Sequence, residues 1–447
     1  MKIFIAGAGE VGAHLAKMLS NEKHDIILMD PNDDKLTFAR QGMEILPLTG
    51  DPVSLTDLEK AEVSRMDLFI SVMIEETANI TACMLASKLG AQKTLARINN
   101  YEYLLPKNQE FFRNAGIDSM IYPEMLAAKE IVSALKMPWT RQLWDLSGGG
   151  IVLTGVKVCE NAQIAGKQLI ELALAGGMKT YHIVAIKRDN ETIIPRGQDC
   201  IHAGDIVFFT SLKNNTDEIR QLAGKEDVNV KRIVIMGGGR IAVRTTQYLP
   251  DNIDVIIIEA SKEKCIRISE VVPSKVLVIN GDARDPNLLI QEGIRDAQAF
   301  VALSENSESN ILACLAAKRF GVFKTIAQVE NIDYISLAEK LDIGSVVNKK
   351  LITASHIYKL LLDVDVSNVK CLAFADAEVA ELVAREKSKV TRHKVKDMRL
   401  PRDITLGGLI RQGEPMMIDG ETQILAGDNV IVFCINTGMN RLEDYFN

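Results

Sequence analysis

At 447 residues the chain is long enough for about three domains on a length prior, and its 47% hydrophobic and 25% charged content is that of an ordinary globular protein. A net charge of −7 excludes a protein of general basic character that binds nucleic acid through its whole surface. There is no uninterrupted apolar window of about 18 residues, so the chain is expected not to span a membrane alone, and it begins with a strand rather than a signal peptide. The seven cysteines include no C-x-x-C pair, which predicts reduced thiols in a cytosolic setting.

In chain order, residues 1 to about 138 read as strands near 2–6, 25–30, 44–48, 68–73, 93–97 and 118–121, with helices starting near Val11, Asp33, Ser54, Glu76 and Glu102. Short apolar strands alternating with amphipathic helices predict a doubly wound parallel sheet covered on both faces. A further helix runs from Glu124 to Lys136 and stops before Pro138. Residues 140–225 change character, with strands Ile151–Lys157, Tyr181–Lys187 and Asp205–Thr210 around one helix at Gly166–Leu174, and a hairpin turn at Arg188-Asp189-Asn190-Glu191. From about 230 the first pattern returns, ending in a helix at Leu351–Leu362, and the short strands then return as well.

The repetition is measurable. Gly7 to Gly237 is 230 residues, Asp30 to Glu259 is 229, and Asp51 to Asp282, Asn79 to Asn310 and Cys83 to Cys314 are each 231. The smaller module repeats at 223, from Arg188 to Arg411 and from Asp205 to Asp428. The predicted organisation is therefore two Rossmann-like domains, 1–138 and 230–365, each followed by a small α+β domain, 139–225 and 366–447.

Each large module opens on a glycine loop. Gly7-x-Gly9-x-x-Gly12 follows Lys2–Ala6, and Gly237-x-Gly239-x-x-Ala242 follows Arg232–Met236. Such a turn lets backbone N–H groups approach a pyrophosphate at a positive helix end: Gly7 for the tight turn, Gly9 for close approach, Gly12 for packing helix on strand. Glu10 and Val11 complete the first loop. Asp30 and Glu259, roughly 20 residues on, are placed to accept hydrogen bonds from adenosine ribose hydroxyls, and a carboxylate there repels a 2′-phosphate, favouring NAD or plain adenine nucleotides. Arg240 stands where Glu10 stands in the first copy and would add a cation to the phosphate path; an exposed helix-start arginine is the other reading.

Other candidates carry two readings each. Gly50-Asp51 and Gly281-Asp282 are contacts at the adenine or aspartate-capped turns. Asn79 and Asn310 lie at the nucleotide cleft or cap a helix. Arg97 ends the fifth strand on the ligand-binding rim, or makes a rim salt bridge; its counterpart is Gln328. Cys83 and Cys314 read as small core residues. The basic stretch Arg385, Lys387, Lys389, Arg392, Lys394, Lys396 and Arg399 reads as a solvated strand face, with an acidic partner or lipid headgroups as the other reading. The six histidines offer no metal-ligand spacing and no metal is expected. His182 and His202 have no matching pair in the second copy, and a duplicated catalytic apparatus should repeat its catalytic residues. The pattern fits a ligand sensor rather than an enzyme; the alternative is an NAD-dependent oxidoreductase with a divergent substrate site.

The segments Lys2–Gly12, Thr77-Ala78-Asn79-Ile80, Ala96-Arg97-Ile98, Met236–Ala242, Ser309-Asn310-Ile311 and the two Ala-Gly-Asp turns resemble the TrkA family, the peripheral subunits of Trk-type potassium uptake systems. The resemblance runs over essentially the whole chain, in the order RCK-N, RCK-C, RCK-N, RCK-C. It implies a non-enzymatic regulator that binds NAD(H), with ATP and ADP as further ligands, and acts at the inner face of the plasma membrane as a cytoplasmic, peripheral protein. It further implies a homo-oligomer, a tetrameric ring, beneath a membrane-embedded potassium-translocating subunit of the TrkH, TrkG or KtrB kind. Position by position, Gly7, Gly9, Gly12, Asp30 and Arg97 would hold the first nucleotide, and Gly237, Gly239, Ala242 and Glu259 the second. The helices Glu124–Lys136 and Leu351–Leu362 become candidates for subunit contacts.

Overall fold

The computed structural model describes residues 1–20, 24–40, 44–146, 149–174, 180–189, 191–361, 366–371, 377–398, 400–435, 442 and 445–446. Asn190, Leu362 and Arg399, named above in a turn, a helix end and the basic stretch, lie outside these.

The first parallel sheet is built from β1 (Lys2–Ala6), β2 (Asp25–Asp30), β3 (Ile45–Thr49), β4 (Leu68–Ser71), β5 (Lys93–Arg97) and β6 (Ser119–Ile121), in the order β3-β2-β1-β4-β5-β6. Strands β1 and β4 are apolar at nearly every position and buried on both faces, as central strands between helical layers must be. Phe4 and Phe69 stack across this pair with ring centroids 4.9 Å apart. Strand order reverses between β1 and β4, which opens a crevice at their carboxyl ends.

The helices of this module are α1 (Glu10–Ser20), α2 (Leu55–Lys60), α3 (Glu76–Leu89), α4 (Pro106–Asn114) and α5 (Pro123–Lys136). Ser54 caps α2, its hydroxyl accepting from the Asp57 N–H at 3.3 Å. Gly90, at φ 115°, ends α3 in the left-handed conformation. The predicted helix at Asp33 is a 3₁₀ segment, Asp33–Arg40; the one at Glu102 is a short 3₁₀ turn, Tyr101–Leu104, before α4 begins at Pro106.

The second module holds β7 (Gln142–Leu146), β8 (Ile151–Lys157), α6 (Leu169–Leu174), β9 (Tyr181–Arg188), β10 (Glu191–Ile193), β11 (Ile206–Leu212) and α7 (Thr216–Leu222), with antiparallel order β10-β9-β11-β8-β7. The three predicted strands are present; β7, β10 and α7 are additions.

The second parallel sheet repeats the first: β12 (Arg232–Met236), α8 (Arg240–Tyr248), β13 (Asp254–Glu259), α9 (Lys262–Ser269), β14 (Val276–Asn280), α10 (Pro286–Gln291), β15 (Ala299–Ala302), α11 (Ser307–Arg319), β16 (Lys324–Gln328), α12 (Asp333–Lys340), β17 (Ser345–Val347) and α13 (Lys349–Leu361), in the order β14-β13-β12-β15-β16-β17. The last sheet, β18 (Val366–Cys371), β19 (Ala377–Val383), β20 (Ile404–Arg411), β21 (Glu414–Met416) and β22 (Asn429–Ile435), has the order β18-β19-β22-β20-β21.

The chain divides into two compact units that cut across the repeat. One contains Met1–Leu126 and Lys349–Tyr358; the other contains Ala127–Asn348 and Lys359–Asn447. In the second unit the two antiparallel sheets share a core that includes Trp144, Phe208, Val379 and Phe433, and the Thr210 hydroxyl donates to the Gly407 carbonyl at 2.6 Å. The repeated Arg and Asp of these modules form matching pairs. Arg188 grips Asp205 at 2.9 and 2.7 Å, and Arg411 grips Asp428 at 2.9 and 2.6 Å. Each guanidinium also donates at 2.8 Å to a carbonyl, of Cys200 or Gln423.

The basic stretch is not a strand. It forms 3₁₀ turns at Lys389–Thr391 and Val395–Asp397, with Lys387 at φ 65° and with Lys394 and Lys396 both paired to Glu421. Among the described residues, no helix is long and apolar enough to cross a membrane.

Candidate nucleotide sites

The first site begins where β1 ends. Gly7 sits at φ 102°, a conformation that L side chains avoid, and a Cβ there would lie 3.1 Å from the Met73 backbone nitrogen. A Cβ on Gly12 would lie 1.9 Å from the Gly7 carbonyl oxygen, so the first turn of α1 can rest on the loop only without a side chain. A Cβ on Gly9 would meet nothing within 4 Å. Packing does not require glycine there; a ligand approaching the backbone would. The first-turn N–H groups of α1 have no intrahelical acceptor and leave a partial positive charge at this end. Val11 is buried beneath, and Glu10 is exposed, its carboxylate 2.5 Å from the Lys350 ammonium.

Asp30 ends β2 and is buried. One carboxylate oxygen accepts from the Ala8 N–H of the glycine loop at 2.9 Å, the other from the Asn32 N–H at 2.9 Å, and Lys35 lies 3.5 Å away. Asp30 therefore holds the loop, and each oxygen keeps a second lone pair for a hydroxyl. The second copy has the same arrangement. The Glu259 oxygens accept from the Gly238 and Ser261 N–H groups, each at 2.8 Å.

Asn79, buried in α3, accepts from the Met73 N–H and the Ser71 hydroxyl, each at 2.8 Å, and donates to the Met73 and Arg97 carbonyls, each at 3.0 Å. All of its side-chain capacity goes to fastening the ends of β4 and β5. Asn310 does the same with Ser304 and the Gln328 carbonyl. These asparagines position the cleft wall rather than cap a helix.

Asp51 accepts from the Val53 N–H at 3.0 Å, and its own N–H donates to Asp57 at 3.1 Å, a turn between β3 and α2. Gly50 donates to the Asp30 carbonyl at 3.3 Å. Asp282 is clasped by Arg284 at 2.7 Å, which holds its carboxyl below the usual range. Gly281 lies so close to Leu288 that a Cβ would stand 2.4 Å from that side chain.

Arg97, at the end of β5, is half-buried, and its Nε has no hydrogen-bond partner. A buried guanidinium N–H left without an acceptor at the carboxyl-end rim of the sheet is a group that an anion or a ribose oxygen would satisfy. Gln328 instead donates to Glu330 at 2.8 Å.

In the second loop Gly237 is at φ 93°, Gly239 faces open space and Ala242 is buried. Arg240 is exposed at the start of α8. The residues of both copies fit an adenine dinucleotide or nucleotide: an open glycine at the phosphate position, a helix end behind it and a buried carboxylate at the second strand. Cys83 and Cys314 are buried, and burial pushes both thiols up, Cys314 to about 12, so neither is a nucleophile.

Two family models match the chain, each twice: TrkA-N domain over residues 3–123 and 233–349, and TrkA-C domain over 153–224 and 379–447. The chain belongs to the TrkA family. A Trk system potassium uptake protein TrkA from Haemophilus influenzae is 31% identical, covering 97% of this chain and 95% of the relative. One of the same description from Halomonas elongata is 30% identical, covering 99% and 97%. Among solved structures, the GsuK RCK domain superposes with a TM-score of 0.60 at 16% identity, covering 100% of this chain and 94% of that one. The GsuK channel bound to NAD gives 0.59 at 17%, covering 100% and 78%. At these identities the structures establish the fold alone. The named relatives are Trk system potassium uptake proteins, not oxidoreductases.

What the sequence did not single out is Lys350. Its adjacent partner Lys349 pairs with Glu124 at 3.6 Å. Only an alignment of the two copies hints at either, because Lys349-Lys350 stands where Pro123-Glu124 stands in the first.

Proposed function

We propose that this chain is a nucleotide-sensing regulatory subunit of a potassium uptake system, binding NAD(H) and also ATP or ADP, and gating a membrane-embedded potassium-translocating partner. The observation that carries the reading is the pair of open glycines, Gly9 and Gly239, each beside a buried loop-holding carboxylate, Asp30 or Glu259. The names of the relatives support the potassium side, and a related fold described as bound to NAD supports the ligand. In this reading the four modules are 1–138, 139–225, 230–365 and 366–447, and the chain works as a cytoplasmic homo-oligomer, a tetramer, docked on the inner membrane face. A ligand can bias such a ring only through different affinity for its two conformations.

Calorimetric titration of the full chain with NADH, NAD, ATP and ADP tests the reading, alongside an NADH-turnover assay and the variants Asp30→Ala and Glu259→Ala. Binding without turnover, lost site by site in the variants while each remains folded by circular dichroism, is expected. Absence of binding for all four would leave the glycine loops as scaffolding only.

A further inference from the structure

The residue that separates the first site from the second is a lysine contributed by the far end of the chain. Helix α13 closes the second Rossmann-like module in sequence, yet its residues Lys349–Tyr358 belong to the same compact unit as the first glycine loop. Lys350 there is largely buried, with 8% of its side chain exposed, and its ammonium lies 2.5 Å from Glu10, which is 74% exposed. It is also close enough to α1 to help depress the His14 imidazole, after burial and Lys17.

An ammonium held by a packed stem and paired to a carboxylate in open water is poorly explained as a stabilising pair, because the exposed partner is screened and contributes little. It is better explained as a cation held ready at the start of α1. Glu10 directly follows Gly9, so a carboxylate stands at the phosphate path and would repel a doubly charged terminal phosphate. The sequence also inverts these charges between the copies: Arg240 occupies the place of Glu10, and Glu124 the place of Lys350.

Building on the nucleotide reading above, we propose that Lys350 is the specificity residue of the first site: it leaves Glu10 to pair with the terminal phosphate of a nucleoside di- or triphosphate. A dinucleotide engages it little, since both of its phosphates are esterified to sugars and carry one charge each. Asp30 fixes the adenosine end for either ligand class. Lys350 thus reads the phosphate end of the ligand.

The test uses the full chain carrying Gly239→Val, which fills open space at an ordinary backbone conformation, φ −69° and ψ 177°, and removes close phosphate approach at the second loop. In that background Lys350→Gln is expected to weaken ATP and ADP by about tenfold or more, the scale of a lost hydrogen bond to a charged group, while NADH shifts less than about twofold. Glu10→Gln, at an exposed position where folding is not at risk, is expected to strengthen ATP and ADP by a larger factor than NADH, since the terminal phosphate carries more charge than either phosphate of the dinucleotide. Equal shifts for all ligands, or none in either variant, overturn the role of Lys350 while leaving the nucleotide site intact. If the parent protein binds none of the nucleotides, both readings fall together.

Discussion

The two glycine loops are built on one plan and finished differently. In each, a glycine at positive φ turns out of the first strand, an open glycine follows, and a buried carboxylate takes the next loop N–H. The differences lie at the helix. Gly12 admits no side chain because the Gly7 carbonyl lies against it, whereas Ala242 carries a buried Cβ at the equivalent position. Helix α8 therefore accommodates a methyl group where α1 leaves no room for one. Glu10 beside Lys350 gives way to an exposed Arg240, and Arg97 with its unsatisfied Nε gives way to a Gln328 already bonded to Glu330. The scaffold of recognition has been kept in both copies, while the groups that would tell one anion from another have diverged.

The sharpest way to break this comparison is to exchange the helix residues. Gly12→Ala places a Cβ against a backbone carbonyl, which cannot rotate away, and is expected to cost about 3 kcal/mol, the upper end of ordinary overpacking. First-site nucleotide binding should disappear with the displaced loop. Ala242→Gly creates no clash and should cost only about 1 kcal/mol, from helix propensity and a lost methyl. Denaturant unfolding of both variants measures the asymmetry, and equal costs would mean that the two helices sit on their loops alike.

This asymmetry also marks how far the sequence could be read. The duplicated sheets, the glycine turns and the paired acids follow from near-constant offsets, because backbone conformation and burial impose residue types locally. The Arg188–Asp205 and Arg411–Asp428 pairs were visible as shared offsets of 223, though not as contacts. Asn79 and Asn310 were legible as positions but not as fasteners, since their partners lie on neighbouring strand ends. Lys350 was illegible because it acts more than 300 residues from Glu10. The basic stretch misled because its lysines alternate with other residues as a strand's would. Lys387 at positive φ, and Glu421 paired to two of those lysines, instead produce a turn-rich loop.

A second exchange asks whether the two acids do the same structural work. Asp30→Ala strips acceptors from the Ala8 and Asn32 N–H groups, and Glu259→Ala from those of Gly238 and Ser261. Each variant is expected to lose about 2 kcal/mol of stability without ligand, the scale of leaving buried donors unsatisfied. Chemical denaturation at matched pH would show it. A loss confined to Asp30→Ala would mean that the second loop holds its shape without its acid, and that Glu259 serves a ligand alone.

The last comparison concerns a lysine that the repeat places in two different settings. Lys93 and Lys324 each open the fifth strand of their sheet, 231 residues apart. Lys93 is exposed, but Lys324 is buried and donates to the Thr140 carbonyl at 2.5 Å and the Ser345 hydroxyl at 2.8 Å. Burial, with Arg141 adding repulsion, pushes the Lys324 ammonium down to about 7, from an ordinary 10.5. The folded state then sheds this proton first. Between pH 7 and 10.5 the unfolded chain binds more protons, so Lys324 makes stability rise with pH across that window, by at most about 1.4 kcal/mol per unit. Below pH 7 both states are protonated and the slope vanishes. Lys318, lowered to about 8 chiefly by burial, adds a share of its own. Unfolding free energies measured from about pH 6.5 to 9.5 should therefore rise less steeply in Lys324→Met than in the parent. An unchanged slope in Lys324→Met would mean that its two oxygen acceptors hold the ammonium charged despite burial, and that the second copy has absorbed the buried lysine at no cost in charge.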